Sequence, residues 1–89
     1  MSAPASADFN AAFCATVREL RERRGLTQIQ GAVALGITAE SMRKYESRTP
    51  LPHRYIPAFC ILVGISETEL FSMVARRAAN PKRRGKDAA

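Results

Sequence analysis

Apolar side chains recur along this chain at steps of three and four, and no stretch alternates for long enough to make a strand. Phe9, Phe13, Val17 and Leu20 fall four, four and three positions apart, which places them on one stripe of a helix running from about Phe9 to Arg24. Asp8 stands where a cap is needed, and Gly25 followed by Leu26 supplies the stop. A second helix opens at Thr27, which has with Gln30 the spacing of a capping box, and ends near Leu35 before Gly36. After Gly36, Ile37 and Thr38 comes a third helix from Ala39 to Glu46, with Thr38 as its cap and Met42 and Tyr45 facing inward. Two helices joined by so short a glycine-containing turn must cross steeply.

The segment Ser47 to Pro52, SRTPLP, has the composition of a loop. Proline is tolerated only in the first turn of a helix, so Pro57 sets the start of the fourth helix no earlier than about His53; it runs to Val63 and ends at Gly64. Ser66 and Glu69 make a second capping box, opening a fifth helix whose Leu70, Met73, Val74 and Arg77 share one side, and Asn80-Pro81 stops it. The class is therefore all-α. A domain over residues 8–80 lies between segments 1–7 and 81–89, which are short of apolar residues and expected to be flexible tails. Phe13, Val17, Leu20, Leu35, Ile37, Met42, Tyr45, Ile56, Phe59, Leu62, Ile65, Leu70 and Val74 are the expected core, joined by Cys14 and Cys60 as small buried hydrophobes.

Length holds the chain to one domain, since 89 residues do not support two. Two cysteines and a single histidine are too few for a disulfide framework or a Cys/His zinc site, so no metal or other cofactor is expected and a reducing cytoplasm fits best. No basic residue precedes Arg18 and no apolar run is long enough for a secretory signal or a membrane span. Without a glycine-rich phosphate loop, H-E-x-x-H, G-x-S-x-G or a carboxylate dyad, enzyme activity is not expected. Charge changes the picture more: 14 Lys and Arg against 8 Asp and Glu give +6, which suits a polyanionic partner such as nucleic acid. The excess is unevenly placed, because residues 1–75 hold 8 basic and 7 acidic side chains while residues 76–89 hold 6 basic and 1 acidic. Lys82, Arg83, Arg84 and Lys86 are accordingly expected to form a basic arm that contacts phosphates. The arm has no apolar face, so a membrane is not the expected partner.

Three segments together resemble the Cro/repressor (XRE) helix-turn-helix family: RELRERRGLTQ from Arg18 to Gln28, ALGITAESMRKYE from Ala34 to Glu46, and LVGISETELF from Leu62 to Phe71. The resemblance runs from about Phe9 to Ala79 and keeps the order of five helices. It implies a lambda-repressor-like DNA-binding domain in which helix two lies across the sugar-phosphate backbone and helix three enters the major groove. It thereby implies a small transcriptional regulator, expected to be a repressor, that binds double-stranded DNA sequence-specifically as a homodimer. By the same resemblance Gln28 matches a phosphate-binding glutamine, Ser41 a position that often bonds a phosphate, and Arg48, His53, Arg54 and Tyr55 a second set of backbone contacts. Thr38, Ala39, Glu40, Arg43 and Lys44 occupy the outward face of helix three, where bases are read. By their chemistry Glu40 suits a cytosine amino group, Arg43 and Lys44 suit guanine O6 and N7 or a phosphate, and Ala39 suits a thymine methyl. Arg21 and Glu46 match positions that family members often pair, holding helix one to the end of helix three.

Helix two departs from the pattern at Gly31, where the family usually has a core leucine. Glycine there costs about 1 kcal/mol in helix propensity and leaves space in the core, which Ile29 and Val33 are expected to fill or cover. The exposed faces of helices one and five, with Phe71 and Met73, are the expected dimer surface. A second reading keeps the fold and changes its use: a protein-interaction module, such as the antitoxin of a toxin-antitoxin pair or a small adaptor with a protein partner. Ala39 and Glu40 keep that reading open, since many DNA readers carry Gln, Arg or Ser there.

Overall fold

The computed structural model describes residues 2–79, with side chains from Phe9 onward. The chain forms α1 (Ser2–Arg23), α2 (Gln28–Leu35), α3 (Ala39–Tyr45), a short 3-10 turn (His53–Tyr55) that leads into α4 (Ile56–Val63), and α5 (Glu67–Ala79). No strand occurs among the described residues.

Local chemistry accounts for most of these boundaries. The Thr27 hydroxyl accepts from the Gln30 backbone N–H while the Gln30 side chain accepts from the Thr27 N–H, a complete capping box at the start of α2. Ser66 and Glu69 make the same exchange ahead of α5, and Thr38 caps α3 through the Ser41 N–H. One kind of closure ends α1, α2 and α4: a glycine in the left-handed region (Gly25, Gly36, Gly64) followed by an apolar residue whose N–H reaches back five positions. Those three backward bonds run from Leu26 to the Arg21 carbonyl, from Ile37 to that of Ala32 and from Ile65 to that of Cys60.

The first helix differs from expectation. It begins at Ser2, so Asp8 lies inside α1 and does not cap it, and the expected tail at 1–7 is helical from its second residue. Alanine is abundant through this segment, and Pro4 falls in the first turn, where its missing N–H has no intrahelical partner to lose.

Helix α1 lies along α5, and α2 packs against α3, with α4 touching α2 and α5. Phe13, Val17, Leu20, Leu35, Met42, Tyr45, Ile56, Phe59, Leu70 and Val74 meet in one core, with Ile37 and Ile65 half-buried against it. Phe13 is gripped at its edge by Phe71, with ring centroids 5.7 Å apart. Leu62 is only half-buried, whereas Leu51, within a stretch whose composition reads as loop, is buried and anchors that loop to the core. Thr16 is buried in mid-helix because its hydroxyl donates to the Ala12 carbonyl one turn back, at 2.7 Å. Both cysteines are buried and unpaired, and burial pushes both thiols above their ordinary pKa.

Candidate nucleic-acid interface

One carboxylate ties α1, α2 and α3 together. Arg21, on the last turn of α1, reaches Glu46, the residue that closes α3, in a forked bridge: Nε to Oε2 at 2.6 Å and Nη2 to Oε1 at 3.0 Å. The remaining Arg21 nitrogen, Nη1, donates to the Leu26 carbonyl, so the turn between α1 and α2 is held by the same side chain. Arg21 is 7% exposed and Glu46 6%, and the bond to Glu46 raises the guanidinium pKa against the opposing effect of burial. Gln28, the first residue of α2, donates its Nε2 to Glu46 Oε1 at 3.0 Å. Because the carboxylate only accepts, it forces the amide nitrogen of Gln28 toward itself and leaves the second N–H of that nitrogen for another acceptor.

Gly31 is explained by the same bridge. A Cβ at Gly31 would stand 3.3 Å from Arg21 Cδ and 3.6 Å from Met42 Sδ, so the space a leucine would take is already filled by the arginine stem and the methionine. Ile29 and Val33 do not cover this position, contrary to expectation: they are 65% and 74% exposed, on the opposite side of α2. The reason is helical geometry, since residues two positions from Gly31 point away from the face it occupies.

Helix α3 turns its other side outward. Thr38, Glu40, Arg43 and Lys44 are exposed, while Ala39 and Ser41 are half-buried. The Thr38 hydroxyl is occupied by its capping role and donates to Ser41 Oγ at 3.0 Å, which leaves the Ser41 proton free to be donated. Beyond α3 the N–H groups of Ser47, Arg48 and Thr49 all converge on the Lys44 carbonyl, bringing the exposed Arg48 beside the end of the helix. Thr38, Glu40, Ser41, Arg43, Lys44, Ser47 and Arg48 line a single open concavity. His53 and Arg54 are exposed on the 3-10 turn; the Arg54 guanidinium lies 5.0 Å from the centre of the Tyr55 ring, which in turn leans on Tyr45 at 6.3 Å. Tyr55 is thus partly a packing residue, and the turn is braced against α3 by aromatic contact.

The electrostatics of this face differ from those of the rest of the described residues. Arg18, Arg21, Arg23 and Arg77 are each bridged to a glutamate on α1 or at the end of α3, and Arg24 donates to the Leu62 carbonyl. Arg43, Lys44, Arg48 and Arg54 have no carboxylate bridge among the described residues.

A family model described as a helix-turn-helix domain matches residues 12–71, which takes in α2, the Gly36 turn and α3 at its centre. The chain belongs to that helix-turn-helix family. The family is one of the XRE-type class. The helix-turn-helix fold also matches the crystal structure of the clp gene regulator ClgR from C. glutamicum with a TM-score of 0.71 at 20% identity, over 79% of this chain and 91% of that one. No curated protein matches the chain.

Several expectations fall elsewhere on the helix-turn-helix domain or beyond it. Lys82, Arg83, Arg84 and Lys86 lie outside the described residues. Phe71 and Met73 are half-buried against the core of the domain, and Phe71 is engaged with Phe13. The large apolar side chains left exposed are Phe9, Ile29, Val33 and Ile61, the last at 82%. Among the described residues no three His, Cys, Asp or Glu side chains gather as a metal site, and no single helix is long and apolar enough to cross a membrane. The Gln28 to Glu46 bond joins residues 18 apart in sequence, and no local pattern marks it.

Proposed function

We propose that this helix-turn-helix DNA-binding regulator reads a specific double-stranded sequence and acts in the cytoplasm as a small repressor, binding without catalysis. Helix α3 enters the major groove, presenting Thr38, Ala39, Glu40, Arg43 and Lys44 to base edges. Gln28 at the start of α2, Ser41, Arg48, His53 and Arg54 meet phosphates on either side, with Tyr55 supporting the turn. The observation that carries the reading is the group of cations on and beside α3, Arg43, Lys44, Arg48 and Arg54, that have no carboxylate bridge while Arg18, Arg21, Arg23 and Arg77 do. A fold that neutralises its arginines in one region and leaves them available in another is suited to a polyanion at the second. Two copies related by a twofold axis, with their α3 helices about 34 Å apart, would read a palindrome.

The test is selection of bound duplexes from random DNA, followed by the same selection with Arg43→Ala/Lys44→Ala. The wild type is expected to select a sequence with two related half-sites, and the double variant to lose that preference while melting as the wild type does. Unchanged selection by the variant overturns the assignment of α3 as the reading element. A protein partner is a second reading, favoured by one observation: Ile29 and Val33 make an exposed apolar pair on α2, one turn apart.

A further inference from the structure

Glu40 is the single acidic side chain lining the concavity beside α3, in the company of Arg43, Lys44 and Arg48. Glutamate followed by a cation four residues later is the favourable order for a pair on a helix, and Lys44 stands at that position. The pair is not made: no cation bridges Glu40, and the Lys44 ammonium lies 5.5 Å from the centre of the Tyr45 ring instead. Glu40 is therefore exposed without a counter-charge, at the second residue of α3, on the side that the proposed function presents to DNA.

A carboxylate pressed against a polyanion is tolerated only where it finds a donor. In the major groove the donors are the cytosine N4 and adenine N6 amino groups; guanine shows two acceptors, and thymine an acceptor and a methyl. Adenine places its N7 acceptor beside its amino group, which repels one oxygen of a carboxylate, whereas cytosine has no acceptor of its own on that edge. Resting on the DNA-reading function proposed above, we infer that Glu40 is a specificity-determining residue that demands a cytosine in each half-site. Arg43, one turn further along the same face, supplies the positive charge that lets the carboxylate approach. It stands about 4.5 Å further along the helix axis. Glu40 excludes guanine, adenine and thymine at its position by leaving their acceptors opposed to an anion.

Selection from random duplexes, run with the wild type, Glu40→Gln and Glu40→Ala, tests this, with thermal melts to confirm that each variant folds. The wild type should return an invariant cytosine at one position of each half-site, and replacing that pair should weaken its binding by about tenfold or more. Glu40→Gln should move the preference at that position to adenine, which a glutamine amide reads through N6 and N7. Glu40→Ala should lose preference there while every other position of the consensus stays. A wild-type consensus that Glu40→Ala and Glu40→Gln leave unchanged overturns the inference and leaves DNA reading intact. Failure of the wild type to select any sequence overturns both.

Discussion

Glu46 accepts from Arg21 twice and from Gln28 once, so a single side chain carries the registration of α1, α2 and α3. Replacing this buried pair by apolar residues of similar volume can be nearly neutral, whereas removing one member leaves the other buried without its counter-charge. Arg21→Met is therefore expected to destabilise by about 3–5 kcal/mol, and Arg21→Met/Glu46→Leu by clearly less than the sum of the single changes. A thermal-melt double-mutant cycle measures the coupling, and a value near zero would mean that the bridge adds nothing to stability. The resemblance pairs Arg21 with Glu46 but assigns the third residue, Gln28, to phosphate alone. Gln28 looks in sequence like a side chain available to phosphate, and only the packing of α2 against α3 shows that its amide is already oriented by a carboxylate.

Elements were legible where their limits are written in neighbouring residues. Thr27 with Gln30, Thr38, Ser66 with Glu69, and the three left-handed glycines act within five positions of themselves, and periodicity assigns the core-facing stripes of α1 and α5. What escaped depends on distance or on weak propensity. The start of α1 has no strong cap, so the alanine-rich run before Phe9 reads as tail although it is helical. Leu51 is buried by contacts that its loop-like surroundings do not announce. Gly31 belongs to the same class: in sequence it is a defect in α2, and in the fold it is the clearance for the Arg21 stem. Gly31→Ala would gain about 1 kcal/mol of helix propensity but must push Arg21 Cδ from 3.3 Å, and that stem is held by Glu46 and the Leu26 carbonyl. Its stability is expected to stay within about 0.5 kcal/mol of wild type in chemical denaturation; the full propensity gain would mean that the bridge yields freely.

At the scale of the whole molecule, charge and shape divide the work of holding DNA. Residues 1–75 are nearly balanced, with 8 basic and 7 acidic side chains, so the domain body owes its attraction for DNA to placement, with cations left unbridged on one face. Residues 76–89, with 6 basic and 1 acidic, supply the net excess. Selectivity and non-specific affinity should therefore be separable by cutting the chain. Truncation after Asn80 removes Lys82, Arg83, Arg84 and Lys86, and each phosphate they neutralise contributes about 0.9 to the slope of log affinity against log salt. The shortened protein is expected to bind its selected duplex more weakly at low salt, with a slope shallower by up to about 3.6 per chain, and to return the same consensus from random DNA. If the arm read sequence, the consensus would change with truncation; if it stayed clear of DNA, the slope would not move. Because the arm's contribution falls away as salt rises, the affinities of the full and truncated proteins should converge near the salt concentration at which the α3 contacts alone sustain binding.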